Sequence, residues 1–453
     1  MAHIVVVGAG LGGLSAALNL SRCGHTVDLF EARDRVGGRT HTLTQEIPGR
    51  HIDAGGEFIG KRHKLWLNYA RHFGLALSVV SSEKNYRDML LYTTRFLEGR
   101  ALEEDEEDML RERVEATQDA LCELAADVVG SRLPWDAVEA ERYDQMTVGA
   151  WLDSAASLKE DPDETRDLQF SEDWLRNWFE LYFQNEYGVP TEQMSLLGFL
   201  AQIAGPQKRF WTESENFRCA GGAQALSAAI ASRLGSIVHL STPVTAIDLT
   251  AHSAVVTAGS QVITADYVVL ATPPSVWDTI QIDPPLPASH RIAMGRAVKY
   301  LVTLQRRSWI SSGRAPAGFH EEVGSIWEST DQQSGTGGVG LTVFAGGELA
   351  DAAISADDRA AHHAPHLEAF LPGVSEHVMA GRLCAWPEQP WTRGGYSCPA
   401  PGQVTGAMKT LYASPWQERL FFAGEHTSPV YFGYMEGALR SGDRVSEQIE
   451  RRC

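Results

Sequence analysis

The residues best placed to do chemistry lie toward the two ends of the chain. Gly8, Gly10 and Gly13 stand in G-x-G-x-x-G register within "GAGLGG", and Glu31 follows them. In that register the first glycine permits a tight turn and the second brings the backbone up to a pyrophosphate. The third lets helix and strand pack closely, and an acid at the position of Glu31 meets a ribose hydroxyl. The chemistry is dinucleotide binding. Near the other end, "LFFAGEHTSPVYFGYMEGALRSG" (Leu420–Gly442) joins a glycine turn to an aromatic loop. Between them stand Lys299, in "IAMGRAVKYLVTL", and the pair Trp386 and Tyr396, ten residues apart around Gly394–Gly395.

These residues need elements to hold them. His3–Gly8 reads as a short buried strand, Leu14–Cys23 as a helix of small and apolar residues, and "HTVDLFEA" as a second strand ending at Glu31. The helix N-terminus then offers free N–H groups and partial positive charge to phosphates. In the C-terminal motif, a strand leads through the loop into a helix that begins near Met435. Lys299 falls at the start of an alternating strand, where an isolated lysine ordinarily points to solvent. From about Tyr86 to Gly205 the chain turns helical. There Trp174, Trp178, Phe179, Tyr182 and Phe183 recur at helical spacing, which reads first as core packing.

The totals set bounds. A chain of 453 residues suggests two to three domains, and 43% hydrophobic with 21% charged residues is an ordinary globular composition. No apolar run reaches the ~18–20 residues of a membrane span, and no signal peptide is visible, so the expectation is a cytoplasmic protein without membrane attachment. A net charge of −19 argues against nucleic acid and weakly favours cationic substrates through steering. The acidic run Glu103–Asp108 reads as a solvated helix face. Six scattered cysteines lack C-x-x-C spacing, and His362, His363 and His366 fall in a polar, loop-like stretch, so no metal is expected.

With "EARDRVGGRTHT" following the first motif, and "FAGEHT" and "GYMEGA" near the end, the sequence resembles the flavin-containing amine oxidase family, which includes monoamine and L-amino-acid oxidases. The resemblance is dense at both ends and thin across about 85–215. It implies non-covalent FAD and an α/β fold. The expected division is a discontinuous Rossmann-like, glutathione-reductase-like FAD-binding domain (1–85, 206–285, 395–453), interleaved with an α+β substrate domain carrying a helical insertion (86–205, 286–394). It implies that Gly8, Gly10, Gly13, Glu31, Ala32, Arg33, Gly38, Arg39, Gly55, Gly56 and Glu57 line the cofactor. Val244 (backbone to adenine), Gly424, Glu425, Gly433, Tyr434 and Met435 complete that set. Lys299 would lie near flavin N5 and hold a water. Tyr396 and Tyr434 match the two tyrosines of an aromatic cage, where ring faces attract cations and exclude water. Trp386 is carried with them as a catalytic candidate. A helix N-terminus at Met435 would stabilise negative charge on reduced flavin.

The sequence departs from the family's membrane-bound members in two ways. Gly395 stands where those enzymes carry a flavin-linking cysteine, and no C-terminal membrane helix follows. The arginine with which some L-amino-acid oxidases clamp a carboxylate is replaced by Phe58, leaving Arg62, Arg209 and Arg218 as other candidates. Glu57 is open to three readings: a partner for a second cationic group, a flavin-loop residue or a solvent-facing one. The expected activity is oxidation of an amine or L-amino acid to an imine, with O2 reduced to hydrogen peroxide and a homodimer as an open assembly state. A flavin-dependent desaturase or porphyrinogen-type oxidase, and a catalytically silent FAD-binding regulator, are the alternatives.

Overall fold

The computed structural model describes residues 1–155, 173–205 and 207–453. Residues 156–172 of the expected helical insertion, and residue 206 at its expected boundary, lie outside them. His3–Val7 is almost wholly buried, as β-branched runs are in the middle of parallel sheets. It pairs in parallel with Thr26–Phe30 on one side and Tyr267–Leu270 on the other. Val238–His239 and Leu420–Phe422 extend this to five parallel strands. Segments more than two hundred residues apart thus share one sheet.

The helix after the first strand spans Leu11–Arg22, three residues ahead of the expected start at Leu14. Gly10, in extended geometry, serves as its N-cap, and the Leu14 N–H donates to the Gly10 carbonyl at 2.9 Å. Glycine's poor helix propensity argues for a turn at Gly12 and Gly13, but tight packing decides otherwise. A Cβ on Gly12 would lie 2.9 Å from the Gly424 nitrogen, and one on Gly442, in the C-terminal helix Met435–Glu450, would lie 2.6 Å from the Gly12 carbonyl oxygen. The two helix backbones touch, and small residues are what lets them.

A seven-stranded, mostly antiparallel sheet runs in the order Val378–Ala385, Ala297–Leu304, Val339–Gly346, Gly324–Glu328, Arg314–His320, Tyr92–Leu97 and Arg100–Ala101. Helices Glu104–Val129, Trp174–Tyr187 and Leu196–Ala204 build the helical part, and Trp174–Tyr187 packs on this sheet. A four-stranded sheet holds Val244–Leu249 beside Ala254–Ala258 and Gln281–Asp283. Strand Ala297–Leu304 is buried along its whole length. The expected solvent-facing alternation is absent because neighbouring strands flank it on both edges and its two faces are covered.

Other expectations are corrected in the same way. Glu106 and Glu107 of the acidic run turn inward onto Arg100 and Arg95, so the face is only partly solvated. His362, His363 and His366 lie on a helix, Arg359–Phe370, and His363 is buried against the Tyr300 ring at 4.0 Å. Among the described residues, no helix is long and apolar enough to cross a membrane.

Candidate active site

A cavity of about 640 Å³ runs from the mouth of the parallel sheet to the inner face of the seven-stranded sheet. Its outer end is the glycine motif. Gly8, Gly10, Glu31, Ala32, Arg33, Gly38 and Arg39 all line it, as do Gly55, Gly56, Val244, Gly424, Gly433 and Met435. Gly13 does not line it. A Cβ there would lie 1.9 Å from the Gly8 carbonyl oxygen, so this glycine serves helix–strand contact. A Cβ on Gly10, by contrast, would meet nothing within 4 Å: its missing side chain leaves open space at the start of the helix. The Glu31 carboxylate accepts the Ala9 and Arg33 N–H groups at 2.8 and 2.9 Å, which fixes it at the rim with lone pairs to spare. The buried Thr272 hydroxyl, also in the wall, has no protein partner. Open backbone, an orphaned hydroxyl and a fixed acid fit a dinucleotide. Neither cysteine nor histidine lines the cavity among the described residues, so no thiol is at hand for a covalent link.

Glu425 is fully occupied within the protein. It takes Arg39 Nη1 at 2.6 Å, the Ser397 hydroxyl at 2.6 Å and amide at 3.1 Å, and the Gly433 N–H at 2.6 Å. Burial works to raise its pKa, but Arg39 and these donors hold it below the ordinary carboxylate range. It joins the Gly38–Arg39 turn to the two loops carrying Tyr396 and Tyr434. Trp386 donates its indole N–H to the Ala54 carbonyl at 2.9 Å. Its ring comes so close beneath Gly55 that a Cβ there would lie 2.9 Å away. It is a wall supporting the Gly55–Gly56 backbone.

At the inner end, Lys299 Nζ sits 2.7 Å from Glu57 Oε2 and 3.1 Å from the Asp53 carbonyl oxygen. Arg218 Nε donates to the other Glu57 oxygen at 2.7 Å, and the Trp327 indole N–H lies 3.2 Å from it. Burial alone would push the Glu57 carboxyl up, but Lys299 and Arg218 bring it below the usual range. Asp53 is raised to about 7 by its own burial and then by the Glu57 charge. Arg218 also approaches Asp331 at 3.5 Å and stacks over Phe58. Of the other arginines raised as carboxylate partners, Arg62 pairs with Glu213, and Arg209 does not line the cavity.

Tyr396 and Tyr434 both line this chamber, and the Tyr396 hydroxyl donates to the Glu186 carbonyl. Tyr182 and Phe183 of the aromatic stripe line it too, whereas Trp174, Trp178 and Phe179 pack in the core. Among the wall residues with no counterpart in the sequence-based site are two acids beside the tyrosines, Glu186 and Glu215. Glu186 lies one helical turn beyond Tyr182, continuing the Trp174, Trp178, Tyr182 series. An acid in an aromatic stripe at that spacing is the signal that marks it. Glu215 lies in a loop with no periodicity to reveal it.

A glycine cradle leading into an enclosed aromatic chamber defines a dinucleotide-dependent enzyme of small molecules. The sequence profile of the flavin containing amine oxidoreductases matches residues 11–450, so the chain belongs to that family and is an FAD-dependent amine oxidase. It is 27% identical to the flavin-containing amine oxidase of Danio rerio, over 98% of this chain and 85% of the relative. It is 26% identical to human flavin-containing amine oxidase B, with the same coverage. The fold is like that of cyclohexylamine oxidase from Brevibacterium oxydans, with a TM-score of 0.85 and 24% identity over 100% of this chain and 99% of that one. Putrescine oxidase bound to putrescine gives a TM-score of 0.83 at 23% identity, with the same coverage.

Proposed function

We propose that the substrate is an amine without an α-carboxylate, and that the electrons leave to O2 as hydrogen peroxide. One observation carries this reading. The two cations at the inner end, Lys299 and Arg218, already face two carboxylates, Glu57 and Asp331, so neither is left for a substrate carboxylate without breaking a buried pair. Apart from Arg33 and Arg39 at the outer end, no other lysine or arginine lines the cavity among the described residues.

Bound FAD would supply the hydride acceptor. Gly8, Gly10 and the start of helix Leu11–Arg22 would hold its pyrophosphate and Glu31 its ribose, and the N-terminus of Met435–Glu450 would stabilise negative charge on it. Tyr396 and Tyr434 offer ring faces to the amine nitrogen, and the chamber excludes the water that would keep that nitrogen protonated. Lys299, anchored by Glu57, stands at the inner end as the group able to hold a water or pass a proton. The amine loses two electrons and two protons to become an imine, O2 takes them up to become H2O2, and water hydrolyses the imine to a carbonyl. The sheet membership supports reading 1–85, 206–285 and 395–453 as a Rossmann-like FAD unit, interleaved with 86–205 and 286–394 as the substrate unit.

The test is peroxide release by the purified yellow protein, with amines and L-amino acids of matched side chain. The amine is expected to be oxidised and the amino acid to be silent. Turnover confined to the amino acids would overturn the reading.

A further inference from the structure

Among the described residues seven carboxylates line the cavity, and they divide by their partners. Glu31 is held by two backbone N–H groups, Glu57 by Lys299 and Arg218, and Glu425 by Arg39. Glu328 receives the Arg307 guanidinium at 2.7 Å, and Asp331 takes the Ser81 amide and hydroxyl, each at 2.9 Å. Each of these five is compensated inside the protein. The other two are not. Glu186 receives the Ser325 hydroxyl at 3.3 Å and lies near the Asn185 amide, and no cation pairs with it among the described residues. Glu215 has no hydrogen-bond or ion-pair partner among the described residues. It is an exposed residue that lines the cavity.

Two acids facing one cavity without a cation repel each other and lose water when a ligand enters, and their titration is shifted accordingly. Burial pushes both above the ordinary range, and the Glu186 charge pushes Glu215 further. Their fields reach the phenols of Tyr396 and Tyr434, so they belong to the chamber where the amine is expected to react. The other groups acting on Glu215 are Glu57, Lys299 and Arg218. The two cations among these are already neutralised.

We propose that Glu186 and Glu215 form a subsite for a second ammonium group, so that the preferred substrate is a diamine or polyamine. One nitrogen lies at the tyrosines as the neutral amine to be oxidised, and the other lies as a cation between the two acids. This rests on the amine-oxidase reading above and names the substrate class of that same site. A second ammonium supplies the countercharge the chain itself withholds. With the cation bound, both acids can ionise, so binding releases the proton that an empty pair retains.

The experiment compares kcat/KM for α,ω-diaminoalkanes of increasing length with that for 1-aminoalkanes of the same lengths, using wild-type holoenzyme, Glu215→Gln and Glu186→Gln. The diamines are expected to win at one optimum length. The diamine-to-monoamine ratio should fall by about thirtyfold or more in Glu215→Gln, as when one partner of a buried charge pair is truncated, and by less in Glu186→Gln. The ratio is read whatever either variant does to the monoamine rate, and the bound-flavin spectrum shows that each variant has folded. If a variant loses its flavin, the wild-type length profile decides. A flat profile, or monoamines preferred throughout, overturns the subsite and leaves the amine-oxidase reading standing. Silence toward every amine overturns that reading instead.

Discussion

Lys299 Nζ lies 2.7 Å from Glu57 Oε2, and Arg218 holds the other oxygen of the same carboxylate at 2.7 Å. One buried acid thus anchors two buried cations from different elements: Lys299 on strand Ala297–Leu304 and Arg218 on strand Phe217–Cys219. The lysine is also packed over the Trp327 ring at 5.1 Å. It is a fixed group at the floor of the chamber.

The asymmetry of this triad makes a stability prediction. Glu57→Gln strands Lys299 and leaves Arg218 only the longer contact to Asp331, at 3.5 Å, whereas Lys299→Met leaves Glu57 still matched by Arg218. Glu57→Gln should therefore cost about 3–5 kcal/mol, as when a buried pair loses one partner, and Lys299→Met clearly less. Urea unfolding of the two variants checks this. Equal losses would show that Arg218 and Lys299 do not share the carboxylate as described.

Lys299→Met also separates chemistry from binding. FAD should remain bound at wild-type stoichiometry, because the lysine's hydrogen bonds go to Glu57 and the Asp53 carbonyl, while flavin reduction or reoxidation slows by about tenfold or more, the scale of a lost proton-transfer group. Stopped-flow absorbance reads both half-reactions. Wild-type rates in both would remove Lys299 from the mechanism.

Gly10 and Gly13, three residues apart in one motif, should fail differently. Gly13→Ala drives a Cβ to 1.9 Å from the Gly8 carbonyl, so it should disrupt the strand–helix contact and lower Tm whether or not FAD is present. Gly10→Val places its side chain in open space. The apo fold should survive, and FAD affinity should fall by more than about tenfold as the cradle fills. Thermal melts with and without added FAD distinguish the two.

What the sequence revealed and what it hid follow from range. The glycine motif, Glu31 and the helix at Met435 were legible because their signals are local: turn chemistry, spacing and the change from loop to helical pattern. The surroundings of Lys299 were not, since its strand looks like an ordinary alternating one until sheets and helices close over it. Glu425 was expected at the cofactor, but its saturation by Arg39, Ser397 and Gly433 depends on loops about 390 residues apart meeting. Glu186 left a trace, as an acid in register with Trp178 and Tyr182. Glu215 left none.

Glu425 should behave as a knot tied around the cofactor's edge. Glu425→Gln removes the charge opposite Arg39 and puts an amide where Ser397 and Gly433 both need acceptors. Flavin retention through gel filtration should drop by about tenfold or more, with loss of the ordered Tyr396 and Tyr434 loops. Full retention of FAD would make the Arg39 pair dispensable.

Replacing Tyr396 and Tyr434 together with leucine should hurt amine oxidation far more than FAD binding. Leucine preserves much of the apolar wall but offers no flat ring face to position the nitrogen. A fall in kcat/KM of about ten- to a hundredfold, with the FAD content unchanged, is expected. Parallel loss of both would make the pair structural.

Asp53 gives the pH dependence its sign. Its native pKa of about 7 lies above the ordinary 3.8, raised first by burial and then by Glu57, so the folded state holds a proton that the unfolded chain has released. By linkage, its contribution is fully present below 3.8 and is lost as pH rises to about 7. Glu57, held below its ordinary range, acts oppositely and loses its contribution only at acid pH. Asp53→Asn keeps the side-chain oxygen for the Ala223 N–H, which donates to it at 3.1 Å, and removes the titration. Its stability should therefore fall less than that of the wild type between pH 4 and pH 7, read as Tm across that window. Parallel profiles would show that Asp53 is ionised throughout.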